Sequence, residues 1–224
     1  MRRPSTVWAV GTVAGALATL ACAGRCAASE ADAKLLAAVK DLNAGQVGLL
    51  LQQGADPNAH TEDGFSALML AAAANDERIL DLLLSKGAAV DGQEPKTGVT
   101  ALLVAANDGK TAAVHVLLDH GANIELSDQA ARATPLMVAA MAGHADTVTL
   151  LLDRGAKVNA KGVGDGTALF GAAAHGHAEV VKILLARGAD PKSKFENGMT
   201  PLDIATAKGQ TAVAEILKKA TARR

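Results

Sequence analysis

One short motif returns five times at nearly constant spacing, and this repeat constrains the fold more than any other feature of the 224 residues. Each copy has a hydroxyl residue, then Ala or Pro, then Leu, and the copies begin at Ser66, Thr100, Thr134, Thr167 and Thr200. Their leucines lie 34, 34, 33 and 33 residues apart. A second landmark, Gly-Ala, recurs with the same period at Gly54, Gly87, Gly121, Gly155 and Gly188. Such a period predicts a stack of similar supersecondary units.

Each unit is predicted to contain two helices. The Ser or Thr can cap a helix N-terminus through its side-chain oxygen, and Pro135 and Pro201 occupy the first helical position, where a missing N–H costs little. Alanines follow, as in residues 71–73, so the first helix is thin and can pack closely. A second helix with larger apolar residues, as in residues 180–185, ends at the glycine of the Gly-Ala landmark. The aromatic content of 2% favours such helices over a β-sandwich.

These residues resemble the ankyrin repeat, whose pattern is Thr-Pro-Leu-His, an Ala-Ala helix, Gly-His, an apolar second helix and Gly-Ala-Asp-x-Asn. The resemblance covers about residues 30–220. It implies an all-α ankyrin-repeat solenoid of about six helix-turn-helix units with short β-hairpin connections. We expect residues 29–62 to be a degenerate N-terminal capping repeat, residues 63–220 to be five ankyrin repeats and residues 221–224 to be a basic tail.

The chain departs from the family pattern at the histidine that follows the opening leucine. The residues in its place are Met69, Leu103, Met137, Phe170 and Asp203. The family histidine helps to tie neighbouring turns together, so we expect packing to hold the turns here. The first four replacements form an apolar stripe, for which we expect burial in the core, with an exposed binding groove as the alternative. The turn before Thr134 lacks the glycine of its neighbours, which predicts an irregular hairpin.

The N-terminal residues 1–28 have the layout of a secretory signal peptide. Two arginines precede the uncharged residues 7–24, and small residues allow cleavage after Ala23 or Ala28. The alternatives are an uncleaved membrane anchor and lipidation of Cys22, whose preceding residues faintly resemble a bacterial lipobox. The predicted location is therefore outside the cytoplasm, in the periplasm of a bacterium, with membrane attachment as the alternative.

Cysteine content and charge exclude several kinds of chemistry. The only cysteines are Cys22 and Cys26, so cleavage after Ala28 leaves neither a disulfide nor a thiol nucleophile. The same cleavage removes three of the 22 basic residues and none of the 23 acidic ones, which lowers the net charge to about −4. A mildly acidic chain argues against nucleic acid as a partner.

No pattern of catalytic residues stands out, and we expect neither an enzyme nor a bound cofactor. His144, His175 and His177 raise the alternative of a metal-dependent enzyme, yet no cysteine or His-x-x-x-His set accompanies them. His144 and His177 also occupy the Gly-His position of the family, where the histidine helps to start the second helix. Ser66 aligns with the capping threonines and forms no Gly-x-Ser-x-Gly elbow.

By resemblance, an ankyrin stack binds another protein with the concave surface made by its hairpin tips and first helices. We therefore expect a monomer that acts as an adaptor, a chaperone-like protein or a regulatory subunit, with a membrane-tethered scaffold as the alternative. Membrane contact is expected only if residues 1–28 are uncleaved or Cys22 is lipidated. The predicted contact residues are Glu62, Asp63, Phe65, Lys96, Thr97, Val99, Asn107, Asp108, Arg132, Met141, Asp165, His175, Glu196, Asn197, Met199 and Lys208.

Overall fold

The computed structural model describes residues 30–222, so the predicted signal peptide lies outside the described residues. Twelve α-helices form within them. They are α1 (Glu30–Lys40), α2 (Ala44–Gln52), α3 (Ala67–Ala74), α4 (Glu77–Ser85), α5 (Ala101–Asn107), α6 (Thr111–Asp119), α7 (Pro135–Ala142), α8 (Ala145–Asp153), α9 (Ala168–His175), α10 (Ala178–Ala186), α11 (Pro201–Ala207) and α12 (Thr211–Ala222). None of these helices is both long and apolar enough to cross a membrane.

The helices pack in two rows. Each odd-numbered helix contacts the even-numbered helix that follows it, and α1, α3, α5, α7, α9 and α11 contact one another in order as an inner row. The even-numbered helices contact one another in order as an outer row. This arrangement confirms the prediction of a mostly helical solenoid, in which each helix pair contacts only its neighbours.

The predicted β-hairpins are not confirmed. Between residues 30 and 222 there is no β-strand, only an isolated antiparallel bridge that joins His60 to Ser66. Other turns are closed by one or two backbone hydrogen bonds, such as the 2.8 Å bonds from Glu94 N to Val99 O and from Gly98 N to Glu94 O. The physical reason is length, because each turn runs directly into the cap of the next inner helix and leaves no room for a ladder.

The helix ends follow the local sequence signals. In each of the five motif copies the hydroxyl oxygen accepts a hydrogen bond from the backbone N–H three residues later, at 3.2–3.4 Å. At the last copy the Asp203 carboxylate also accepts bonds from the Thr200 N–H and hydroxyl. These bonds, the backbone one first, lower the pKa of Asp203. The glycines of the Gly-Ala landmark have φ between 83° and 93° and follow the outer helices, which confirms their predicted role.

Leucines and alanines fill the core between the two rows. Leu102, Leu136 and Leu169 of the inner helices are fully buried. The apolar stripe is also buried over most of its length, because Met69, Leu103 and Met137 are 2%, 3% and 2% exposed. Burial of these three confirms the core interpretation. Phe170, the fourth member, is half-buried and stacks on Phe195 with ring centroids 5.0 Å apart.

A ladder of side-chain to backbone hydrogen bonds ties each helix pair to the next. In each bond the acceptor is a polar side chain of one helix pair or of the turn that follows that pair. The donor is a backbone N–H in the next turn, on the residue directly after the Gly-Ala landmark. The five bonds, at 2.7–2.9 Å, join the N–H of Asp56 to Asp32, of Ala89 to Asn58, of Asn123 to Asp91, of Lys157 to Glu125 and of Asp190 to Asn159. The ladder fixes the spacing of successive units without using any apolar side chain.

Candidate protein-binding surface

Five short turns enter the inner helices, and they are here called tips. They are tip 1 (residues 61–65), tip 2 (94–99), tip 3 (128–133), tip 4 (161–166) and tip 5 (194–199). The tips, the inner helices and the residues that end those helices carry all sixteen predicted contact residues. Ten are exposed, namely Glu62, Asp63, Lys96, Thr97, Arg132, Asp165, His175, Glu196, Asn197 and Lys208. Six are half-buried, namely Phe65, Val99, Asn107, Asp108, Met141 and Met199. Their role in binding stays a prediction.

Tip 2 is built around a buried carboxylate. Glu94 is only 3% exposed, and its two oxygens accept the Lys96 N–H at 3.0 Å and the Thr97 N–H at 2.7 Å. The Thr97 hydroxyl donates a third bond to the same group. Burial alone raises the pKa of Glu94, but the hydrogen bonds and the nearby Lys96 charge outweigh it, so this pKa lies below its ordinary value. Glu94 therefore fixes the backbone that presents Lys96.

Tip 3 has the same construction with a different acid. Asp128 is 9% exposed, and its Oδ1 accepts the N–H groups of Ala131 at 2.9 Å and Ala133 at 3.0 Å. Arg132 lies between these two donors and points to solvent as an exposed residue. Glu94 and Asp128 are the buried carboxylates of residues 30–222, and they lie under neighbouring tips. Neither burial was predicted from the sequence.

Every tip has a left-handed residue two positions before the capping Ser or Thr. It is glycine in tips 1, 2 and 5, with φ of 89°, 72° and 81°. In tip 3 it is Arg132 with φ 50°, and in tip 4 it is Asp165 with φ 61°. The predicted irregularity of tip 3 therefore lies in its sequence and not in its backbone, since Arg132 adopts the left-handed conformation that glycine adopts in tips 1, 2 and 5. This conformation costs a residue with a Cβ about 1 kcal/mol.

Main-chain hydrogen bonds join neighbouring tips. They run from Gln129 N to Thr97 O, from Val163 N to Ala131 O and from Glu196 N to Gly164 O, at 2.9, 2.9 and 2.8 Å. These bonds correct the expectation that packing alone holds the turns. Packing contributes in tip 4, where a Cβ on Gly164 would lie 2.6 Å from the Phe195 ring. No such bond joins tips 1 and 2 among the described residues, because Pro95 stands in the position of Gln129 and has no N–H.

Ion pairs are distributed unevenly over the described residues. On the outer row, His120, Arg154 and Arg187 each follow an outer helix and reach an aspartate of the preceding one, at 2.8–3.0 Å. Among the tips, only Asp165 forms an ion pair, with Lys161 at 3.2 Å. The charged groups without an ion pair to any described residue include Glu62, Asp63, Lys96, Arg132, Glu196 and Lys208.

The histidines proposed for a metal-dependent alternative make structural contacts. His144 and His177 each place Nε2 2.9 Å from a carbonyl oxygen near the end of the inner helix of the preceding unit, Asn107 O and Met141 O. Their rings also pack against Gly109 and Gly143. His175 is exposed and stacks on His177 with centroids 6.1 Å apart. Within residues 30–222 no three His, Cys, Asp or Glu residues converge as a metal would require.

The two-row stack defines a helical repeat solenoid, a class of proteins that build extended binding surfaces from units contacting only their neighbours. Residues 35–128, 91–162 and 136–223 match the family described as ankyrin repeats (3 copies). A search of the curated proteins finds no match. Because the family matches span most of the sequence, the chain belongs to the ankyrin-repeat family, whose members are typically non-enzymatic modules for protein–protein interaction.

Proposed function

We propose that this protein is a monomeric binding module that holds another protein against its tips and inner helices. Its role is that of an adaptor, a chaperone-like protein or a regulatory subunit. The observation that carries this proposal is the set of unpaired charges on the tips, which contrasts with the ion pairs between the outer helices. Exposed charges that make no ion pair can select a partner by electrostatic complementarity.

The framework under these charges is ordered before any partner arrives. Glu94 and Asp128 hold the backbone of tips 2 and 3, and main-chain bonds hold tips 2 to 5 in register. A partner therefore does not have to order these loops when it binds, which removes a large entropic cost of association. Preordered loops with free side chains suit binding better than a turnover cycle with a moving lid.

We also propose that the stack has six units and that the first, α1 with α2, is an N-terminal cap. These helices contact α3 and α4 in the same way as later pairs contact their neighbours, and they lack the Thr-Pro-Leu opening. A terminal unit must turn one face to solvent, which explains the different sequence. The order of charged, apolar and small residues in 1–28 supports export from the cytoplasm.

The binding function is tested by chemical crosslinking of the C-terminally tagged full chain in the cells that make it, followed by mass spectrometry. The test variant reverses three tip charges, Lys96→Glu, Arg132→Glu and Glu196→Lys. The matched control reverses three exposed charges of the α4 segment, Arg78→Glu, Lys86→Glu and Glu77→Lys. We expect one protein to be captured by the wild type and the control and lost with the tip variant. Equal capture by all three proteins would contradict the proposed surface.

Export is tested on the same purified protein by determining its N-terminal sequence. A start at residue 24 or 29 supports the signal peptide, and a start at Cys22 with added lipid mass supports the tethered alternative. An intact N-terminus in a cytoplasmic fraction would overturn the proposed location without affecting the binding proposal.

A further inference from the structure

Lys96 and Arg132 form a positive pair on a chain that is otherwise mildly acidic. They lie on neighbouring tips that a main-chain bond joins, from Gln129 N to Thr97 O. Both side chains are exposed, and neither forms an ion pair with a described residue. The pair is here called the basic tips.

The basic tips are the two that stand on buried carboxylates. Glu94 accepts the backbone N–H of Lys96 itself. Asp128 accepts the backbone N–H groups of Ala131 and Ala133, which lie on either side of Arg132. The backbone positions of both cations are thus fixed in relation to the stack. Arg132 is also the left-handed residue of its tip, at a position where three other tips have glycine. Strain retained at an exposed site points to a use for the side chain outside the fold.

An exposed apolar side chain continues the surface on the next tip. Val163 of tip 4 is 41% exposed, and its N–H is held by Ala131 O of tip 3. Packed helices are about 8–10 Å apart, and an extended chain covers this distance in about three residues. Lys96, Arg132 and Val163 lie on three successive units, so an extended segment that crosses these units passes one tip about every three residues.

We infer that tips 2 to 4 bind an extended acidic segment of a partner protein, with carboxylates against Lys96 and Arg132 and a bulky apolar side chain against Val163. This inference rests on the proposed function and names the chemistry of the partner. A uniformly charged polyanion such as nucleic acid fits poorly, because the exposed Glu62 and Asp63 of tip 1 place negative charge next to the basic tips.

The test uses a phage-displayed library of random dodecapeptides selected on the tagged full chain. We expect enriched peptides to carry two acidic residues about three positions apart, followed at similar spacing by Leu, Ile, Phe or Met. A fluorescein-labelled peptide of the enriched sequence then gives Kd by fluorescence anisotropy. We expect Lys96→Glu with Arg132→Glu to weaken this peptide about 100-fold or more, and Val163→Ser to weaken it about fivefold.

Two controls separate binding from folding. Arg78→Glu with Lys86→Glu reverses two cations of the α4 segment and is expected to leave Kd unchanged. A peptide with its two acids changed to Lys should bind the tip variant more tightly than it binds the wild type, which an unfolded variant could not do. Enriched peptides without acidic residues that are nevertheless lost with the tip variant would overturn this inference and leave the proposed function intact. Failure to enrich any peptide that the tip variant loses would count against both.

Discussion

The outer row and the tips of this stack handle charge in opposite ways. On the outer row, residues that follow one helix reach across to an aspartate of the preceding helix, as Arg154 does to Asp119 at 2.8 Å. At the tips, the main chain makes the connections from unit to unit, and Lys96, Arg132 and Glu196 are left without ion pairs to described residues. Where backbone groups hold a structure together, side chains are free for recognition.

The strongest test of this contrast truncates one acid of each kind. Glu94→Ala should lower the free energy of unfolding by about 2–3 kcal/mol, because it removes a charged acceptor from the Lys96 N–H, the Thr97 N–H and the Thr97 hydroxyl. Asp119→Ala, on the outer row, should lose less than about 1 kcal/mol because its ion pairs are half-exposed. Urea denaturation followed by circular dichroism measures both values. Equal losses would mean that the tips and the outer row do not differ as described.

A second test concerns glycines with left-handed backbone on the two sides. Gly164→Ala in tip 4 should lower the free energy of unfolding by about 2 kcal/mol. The new Cβ would clash with the Phe195 ring, and alanine would be held at an unfavourable positive φ. Gly155→Ala, after outer helix α8, has open space around it and should cost only about 1 kcal/mol. The difference between the two midpoints of urea denaturation reports the packing of tip 5 on tip 4.

Acid should weaken the anchor under tip 2 selectively. The pKa of Glu94 is lowered by folding, so its contribution is present above the unfolded-state pKa of about 4.3 and is lost as the pH falls through the lower folded-state pKa. Glu94→Gln should therefore be clearly less stable than the wild type at pH 7, with the gap closing below pH 4. Denaturant titrations at several pH values measure the gap. A difference in stability that grows below pH 4 would contradict the expected direction of the pH dependence.

Smaller effects are expected for the ion pairs themselves. A double-mutant cycle on Arg154 and Asp119 should give a coupling of about 0.5 kcal/mol that falls in 1 M NaCl. The same cycle on Glu62 and Lys96, on neighbouring tips, should give a coupling near zero. A coupling at the tips as large as that on the outer row would show that the tip charges also serve the fold.

The smallest effect is a gain. Arg132→Gly should stabilise the protein by about 0.5 kcal/mol, because relief of the left-handed strain exceeds the added entropy of the unfolded chain. Arg132→Ala keeps the strain and should give no gain, which makes it the control. Thermal denaturation resolves the two variants. Loss of stability in Arg132→Gly would show that the arginine side chain holds the tip.

The parts of this fold that were predicted from sequence are those that local signals decide. A hydroxyl residue before a run of alanines specifies a helix start, and the hydrogen bond from Met137 N to the Thr134 hydroxyl is one result. Glycine after an outer helix specifies its end, as at Gly155. The period of 33–34 residues then arranges these pairs in a stack, since no pair can bury its apolar face alone.

The parts that were missed depend on contacts between units. Glu94 and Asp128 occur in polar stretches where a carboxylate is usually solvated, so their burial has no local signal. The main-chain bonds between tips use no side chain, so apart from Pro95, where one is missing, they leave no signal in the sequence. The ladder from Asn58 to Asn159 does have a signal, an Asp, Asn or Glu four residues after the glycine of each of the first four Gly-Ala landmarks, which alignment of the units would have shown.

Pro95 leaves tips 1 and 2 without the main-chain bond that joins the other neighbouring tips of the described residues. Tips 2 to 5 share main-chain bonds and therefore keep their spacing, whereas tip 1 adjoins a residue with no N–H to offer. We expect tip 1 to move relative to tip 2 more than tips 2 to 5 move relative to one another, because the packing of Glu94 and Pro95 near Gly64 takes the place of that bond. If a partner binds the tips as we propose, tip 1 is therefore the part of the surface that can adapt to its shape.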